Sequence, residues 1–119
     1  MNKILIVDDE PNILLSLEFL FRKEGYLVLI ARDGDEALEI IVQNTPDMVL
    51  LDISMPKVDG YEVCKFIKEK YPQVKIAFLT AKNKQHEIEK GMSLGADLYL
   101  TKPFSTKELV TKVNQLINL

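Results

Sequence analysis

Five short apolar runs stand out along the chain, Ile4 to Val7, Tyr26 to Ala31, Met48 to Leu51, Val74 to Leu79 and Leu98 to Leu100. They are of strand length and mostly lack strict apolar–polar alternation, the pattern of strands covered on both faces of a sheet. Between them the apolar positions take a helical spacing. From Pro11 to Lys23 the residues Ile13, Leu14, Leu17, Leu20 and Phe21 make a wide stripe, and Gly25 supplies a stop and a natural C-cap. From about Asp35 to Gln43, Ala37, Leu38, Ile40 and Ile41 point inward, and Thr45-Pro46 closes the helix because a residue before proline avoids the helical region. Asp47 then opens the third strand. Gly60 to Lys70 carries Val63, Phe66 and Ile67 on one face, Gln85 to Leu94 carries Ile88 and Met92, and Thr106 to Ile117 carries Leu109, Val113, Leu116 and Ile117.

Strands alternating with helices predict an α/β fold of (βα)5 type with a parallel sheet, since right-handed crossovers are overwhelmingly favoured. In such sheets chemistry gathers beyond the carboxyl ends of the strands. No linker, repeat or low-complexity tract interrupts the pattern, so residues 1–119 are expected to form one domain.

Composition narrows the function. At 119 residues with 47% apolar content the chain can bury a proper core. Its formal charge of −3 gives no basic face to offset nucleic-acid phosphates, so direct DNA or RNA binding by this segment is not expected. The one cysteine, Cys64, excludes an internal disulfide, and Met1-Asn2-Lys3-Ile4 runs straight into a strand pattern rather than a cleavable signal. No apolar run approaches the ~20 residues that cross a bilayer. A soluble cytoplasmic protein without membrane contact is the expectation.

The chemistry sits at the predicted strand ends. Asp8-Asp9-Glu10 follows the first strand and Asp52 the third, which brings carboxylates to one rim. Converging carboxylates repel one another and raise each other's pKa unless a cation sits among them. Oxygen-only ligation without a histidine or cysteine cluster suits Mg²⁺, with Mn²⁺ acceptable. Thr80 after the fourth strand and Lys102 after the fifth add a hydroxyl and a cation. A transferring phosphoryl group needs positive charge and donors around its oxygens, which Mg²⁺, Lys102 and Thr80 would supply. Asp52 qualifies as the nucleophile, forming an acyl phosphate.

These residues resemble the response-regulator receiver family of two-component systems, and the resemblance covers the whole chain. Asp8-Asp9 is similar to the family's acidic pair, with Asp9 the direct metal ligand and Asp8 acting through water. Leu51-Asp52-Ile53-Ser54-Met55-Pro56-Lys57-Val58-Asp59-Gly60 resembles the phosphoacceptor segment, and Thr80-Ala81 the switch hydroxyl with its small neighbour. Lys102-Pro103-Phe104 resembles the site lysine followed by a proline whose peptide bond is cis. The resemblance implies a flavodoxin-like (βα)5 three-layer sandwich whose five-stranded parallel sheet has the order 2-1-3-4-5. It implies that Asp52 is modified, that the Ser54 backbone carbonyl joins Asp8, Asp9 and Asp52 around the metal, and that Thr80 and Tyr99 switch a partner face formed by the fourth helix, fifth strand and fifth helix. Ser54 and Lys82 stand where the family tunes the lifetime of the phosphoryl group. The implied partners are a sensor histidine kinase or phosphotransfer protein and a downstream effector protein or domain. The protein would then be a signalling switch rather than an enzyme acting on other substrates.

Plainer roles stand beside these. Asp8 and Glu10 suit a helix N-terminus, and Glu10 is assigned to it. Asp52 could be a turn residue, Thr80 a cap, Lys102 a solvated cation and Tyr99 plain packing. His86 is expected on an exposed helix face, Cys64 partly packed against its helix neighbours, Asp59-Gly60 at a helix start, and Asp97 is a candidate for an ion pair on a partner face. A magnesium phosphatase with an aspartyl nucleophile is the rival enzyme, although it would carry Asp-x-Asp at the first strand. A flavin binder of the same architecture would need a glycine- and hydroxyl-rich phosphate loop where Asp8-Asp9-Glu10-Pro11 stands. A degenerate receiver serving as a scaffold would not need Asp9, Asp52, Thr80 and Lys102 together. Asp97, Glu108 and Lys112 partly match the charge pairs of receiver dimers, whereas Leu98 and the ending Asn114 to Leu119 do not, which leaves a monomer or a phosphorylation-dependent dimer open.

Overall fold

The computed structural model describes residues 1–119. Its elements run β1 (Lys3–Val7), α1 (Pro11–Lys23), β2 (Leu27–Ala31), α2 (Gly34–Gln43), β3 (Met48–Leu51), α3 (Gly60–Lys70), β4 (Lys75–Thr80), α4 (Gln85–Ser93), β5 (Leu98–Thr101) and α5 (Thr106–Ile117). All five strands are parallel in the order β2-β1-β3-β4-β5. This is the α/β sheet order expected above.

Continuous apolar strands give the sheet two buried faces. One face, with Leu5, Val7, Val49, Leu51, Ile76 and Phe78, is covered by Ala37 and Ile41 of α2 and by Val63, Cys64 and Ile67 of α3. The other, with Ile4, Ile6, Leu50, Ala77 and Leu79, is covered by Leu14, Leu17 and Phe21 of α1 and by Leu109 and Val113 of α5. Neighbouring residues of one strand thus serve opposite cores, which is why alternation is missing from the sequence.

The chain punctuates its helices with local chemistry. The side chains of Asp33, Asp59 and Ser105 accept backbone N–H bonds from Glu36, Glu62 and Glu108 at 2.8, 3.0 and 3.2 Å, capping α2, α3 and α5. Gly25 and Gly95 adopt φ of +93° and +101° after α1 and α4, left-handed geometry that only glycine takes without a steric cost.

Several expectations need correction. Asp33 is the cap of α2, so that helix begins at Gly34 rather than Asp35. Thr80 is the last residue of β4 rather than the first residue after it. Cys64 is wholly buried, and burial pushes its thiol up to about 11, against the lowering influence of Lys68. Glu10 occupies the N-cap position of α1 but makes no side-chain cap bond. Asp97 does not face outward for a partner: its carboxylate accepts from the Ile76 amide at 2.9 Å and pairs with Lys68 at 3.1 Å within the chain. No helix is long and apolar enough to cross a membrane.

Candidate functional site

Strand register assembles the site. Val7 pairs with Leu51, and the next residues along the two strands are Asp8 and Asp52. Backbone bonds continue past the strands and fix both acids: the Asp52 amide donates to Val7 O at 3.0 Å and the Asp8 amide to Ala31 O at 3.2 Å. Thr80 pairs with Thr101, and the Lys102 amide donates to Thr80 O at 2.8 Å, which carries Lys102 onto the same rim. The Lys102–Pro103 peptide is cis.

Asp8, Asp52 and Thr80 are 2%, 6% and 1% exposed and are the buried polar residues of the fold. Carboxylate oxygens of Asp8, Asp9 and Asp52 lie within 4.8 Å of one another, with Asp9 on the exposed side. Each buried acid spends one oxygen on a backbone amide, Asp8 on Glu10 N and Asp52 on Ile53 N, both at 2.9 Å. The other oxygen of each faces Lys102 Nζ, at 2.8 Å from Asp8 and 3.9 Å from Asp52. Glu10, a capping acid by its place before α1, instead reaches the same ammonium at 3.5 Å.

One ammonium among four carboxylates leaves the cluster under-neutralised. Burial raises the pKa of Asp52 and the charge of Asp8 adds to it, outweighing Lys102, the Thr80 hydroxyl and the Ile53 amide. For Lys102 burial pulls the pKa down, but the Asp8 hydrogen bond and the charges of Asp52, Asp8 and Glu10 prevail, so its pKa is raised and the cation is retained. An all-oxygen cluster of this charge fits a hard divalent cation. His86 is exposed on α4, away from these acids in character and place, and Cys64 belongs to the core under α3.

The backbone around Asp52 is pressed against α3. A Cβ on Gly60 would collide with the Asp52 carbonyl and come within 2.8 Å of Ile53 Cα, so only glycine permits this approach. Ser54 is exposed in the loop between β3 and α3, and Lys57 there takes φ of +68°.

Thr80 and Tyr99 meet on one residue. The Thr80 hydroxyl oxygen accepts from Lys82 N at 3.3 Å, and the Tyr99 hydroxyl donates to Lys82 O at 2.7 Å. Tyr99 packs its ring against Phe78 at 5.7 Å. Burial, with the charges near it on Tyr61, Glu87 and Asp52, pushes its phenol up to about 12, so it remains a donor. Lys82 is also paired with Glu87 at 3.3 Å. No local pattern singles out Glu87, Tyr61 or the close approach of Gly34 to Val58, because their partners lie in other elements.

Several solved proteins share this fold over nearly the whole chain. The Francisella response regulator 1452 receiver domain is 33% identical, covers 99% of this chain and 98% of its own, and superposes with a TM-score of 0.93. A CheY-like response regulator receiver domain protein from Methanospirillum hungatei JF-1 is 30% identical over 99% of this chain and 94% of its own, with a TM-score of 0.95. The DrrB receiver domain, solved in a BeF3-activated form, is 32% identical over 100% of this chain and 99% of its own, with a TM-score of 0.94. A family model described as the response regulator receiver domain matches residues 4–114, a span that runs from β1 into α5 and contains every strand end discussed above. A parallel sheet that gathers buried acids, a hydroxyl and a lysine at one rim is thus the frame of a known signalling module, and this chain belongs to the response regulator receiver domain family of two-component systems.

Proposed function

We propose that Asp52 is a phosphoacceptor and that the chain acts as a phosphorylation switch fed by a histidine kinase or phosphotransfer protein. The observation that carries this reading is the convergence of the Asp8, Asp9 and Asp52 carboxylates within 4.8 Å, with Lys102 Nζ 3.9 Å from Asp52. Buried, mutually repelling acids cost stability, and phosphoryl transfer gives them a use.

A carboxylate oxygen of Asp52 attacks phosphorus in line, forming the new P–O bond as the P–N bond to the donor imidazole, or the P–O bond to acetate, breaks. The leaving group departs with the bonding electron pair, and imidazole is protonated as it leaves. Lys102 swings its ammonium from Asp8 and Asp52 to a phosphoryl oxygen, and the Thr80 hydroxyl donates to another. Mg²⁺, or Mn²⁺, held by Asp8, Asp9, Asp52 and the Ser54 carbonyl, would supply positive charge shared with the phosphoryl oxygens. Water attacking the same phosphorus resets the switch.

The output follows from Lys82. Turning the Thr80 hydroxyl toward a phosphoryl oxygen disturbs a residue whose carbonyl also holds Tyr99, so the face of α4, β5 and α5 responds. An effector protein or domain reads that face. For the kinase, α1 offers Leu15 and Phe19, one turn apart and 67% and 72% exposed, on the helix that starts directly after the acidic pair. Asp97 is committed to Lys68 inside its own chain, which supports a monomer over a dimer built on its charge.

Acetyl phosphate with Mg²⁺ should give the parent a hydroxylamine-sensitive modification, and Asp52→Asn should give none. The same labile adduct on Asp52→Asn would overturn the assignment.

A further inference from the structure

The helix that the switch must move is poorly anchored by apolar packing. Gly91 is the one buried residue of α4, and Met92 is 44% exposed. The glycine permits close approach, since a Cβ there would press to 3.1 Å on both the Phe78 and Tyr99 rings. Polar anchors therefore decide where α4 lies. One is Tyr99, through Lys82 just before the helix. The other is Tyr61 on α3, whose hydroxyl donates to the backbone carbonyl of Glu87 in the first turn of α4 at 3.1 Å. A helix carbonyl has a second lone pair for such a bond.

Phe78, Lys90 and the Glu87 carbonyl hold Tyr61 in place. Its ring stands edge-on to Phe78 at 5.9 Å, Phe78 meets Tyr99 at 5.7 Å, and Lys90 of α4 lies over the Tyr61 ring at 4.3 Å. The cation over the ring and the hydroxyl bond both tie Tyr61 to α4. Its own backbone follows Gly60, the residue pressed against the Asp52 carbonyl. A continuous path therefore runs from the Asp52 main chain through the start of α3 to the first turn of α4, separate from the path through Thr80 and Lys82.

We propose that Tyr61 is a positioning residue of the switch, anchoring the first turn of α4 to the start of α3 and thereby to the backbone of Asp52. This rests on the reading of Asp52 as the phosphoacceptor. Two tyrosines then hold the Lys82–Glu87 turn from two elements, Tyr99 from β5 and Tyr61 from α3, and the position of α4 reports on both.

Tyr61→Phe keeps the ring against Phe78 and beneath Lys90 and removes only the hydroxyl. Amide exchange of residues 85–93 should quicken about fivefold, the size of one lost hydrogen bond, while α1 and α5 keep their rates. Affinity for beryllofluoride in the presence of Mg²⁺ should weaken about twofold to fivefold, as the start of α3 loses its tie to α4 and holds the Asp52 backbone less firmly. Combined with Tyr99→Phe, the effect on α4 exchange should depart from additivity, because both hydroxyls act on one turn. Unchanged α4 exchange in Tyr61→Phe, or equal quickening in every helix, would overturn the anchor. A parent protein that takes up no beryllofluoride with Mg²⁺ would instead overturn the phosphoacceptor reading, and α4 exchange in the unloaded proteins would still judge the anchor.

Discussion

The two rims of the sheet use the same residue types to opposite ends. At the amino rim Asp47 accepts from the Lys3 amide at 2.7 Å and Asp97 from the Ile76 amide at 2.9 Å. Lys3 Nζ bonds Asn44 at 2.6 Å, while Lys68 Nζ bonds the Val74 carbonyl at 2.7 Å and Asp97 at 3.1 Å. Both aspartates there accept from strand amides, and neither belongs to a cluster of carboxylates. At the carboxyl rim Asp8, Asp9 and Asp52 crowd one another, and a single Lys102 faces them together with Glu10. Backbone amides bond the acids of both rims, so what sets Asp8 and Asp52 apart is the other carboxylates beside them. The second arrangement raises the pKa of Asp52 through burial and Asp8, whereas the first satisfies its charges locally.

Removing the cation of the carboxyl rim and one acid of each rim separates these roles. The largest effect should come from Lys102→Met. Loss of the charge facing the phosphoryl oxygens should slow acetyl phosphate incorporation by roughly 10²- to 10³-fold, measured as the initial rate of labelling. Modification at the parent rate would break the contrast between the rims. Asp97→Ala should act on stability instead. It strands the Ile76 amide and leaves Lys68 with only the Val74 carbonyl, costing about 2 kcal/mol in urea unfolding, with labelling of Asp52 retained. The smallest effect has the opposite sign: in chelator, Asp52→Asn should stabilise the protein by about 1 kcal/mol, because the charge removed is a repelled one. A loss of stability in that variant would mean that Asp52, like Asp97, serves the fold.

Much of this contrast was visible in the chain itself. Helical and strand periods alternate cleanly, so the order of elements, and with it the presence of Asp8, Asp52, Thr80 and Lys102 at strand ends, could be read directly. Parallel strands share a direction, and this alone puts their ends on one rim. Less legible were the assignments that depend on which side chain lies nearest in space. Glu10 reads as a cap because acids suit a helix start, yet Lys102, 92 residues away, draws its carboxylate. Asp97 reads as a surface charge because the segment around it is a turn, yet Lys68 and Ile76 hold it inward. Cys64 sits one residue from Val63 on the helix and is buried with it, since α3 presses a broader face on the sheet than its stripe of Val63, Phe66 and Ile67 suggested.

By itself the sequence determined the alternation of elements, the two-sided burial of the strands and the placement of the chemical residues beyond strand ends, because these depend on local periodicity and chain direction. The resemblance already implied that β1 lies beside β3 and so sets Asp8 against Asp52, whereas only the tertiary structure decided that Lys82 holds Tyr99 by its carbonyl and that Tyr61 reaches across to Glu87. Those are pairings between residues distant in the chain, and they are fixed by strand order and side-chain reach, which no local pattern encodes.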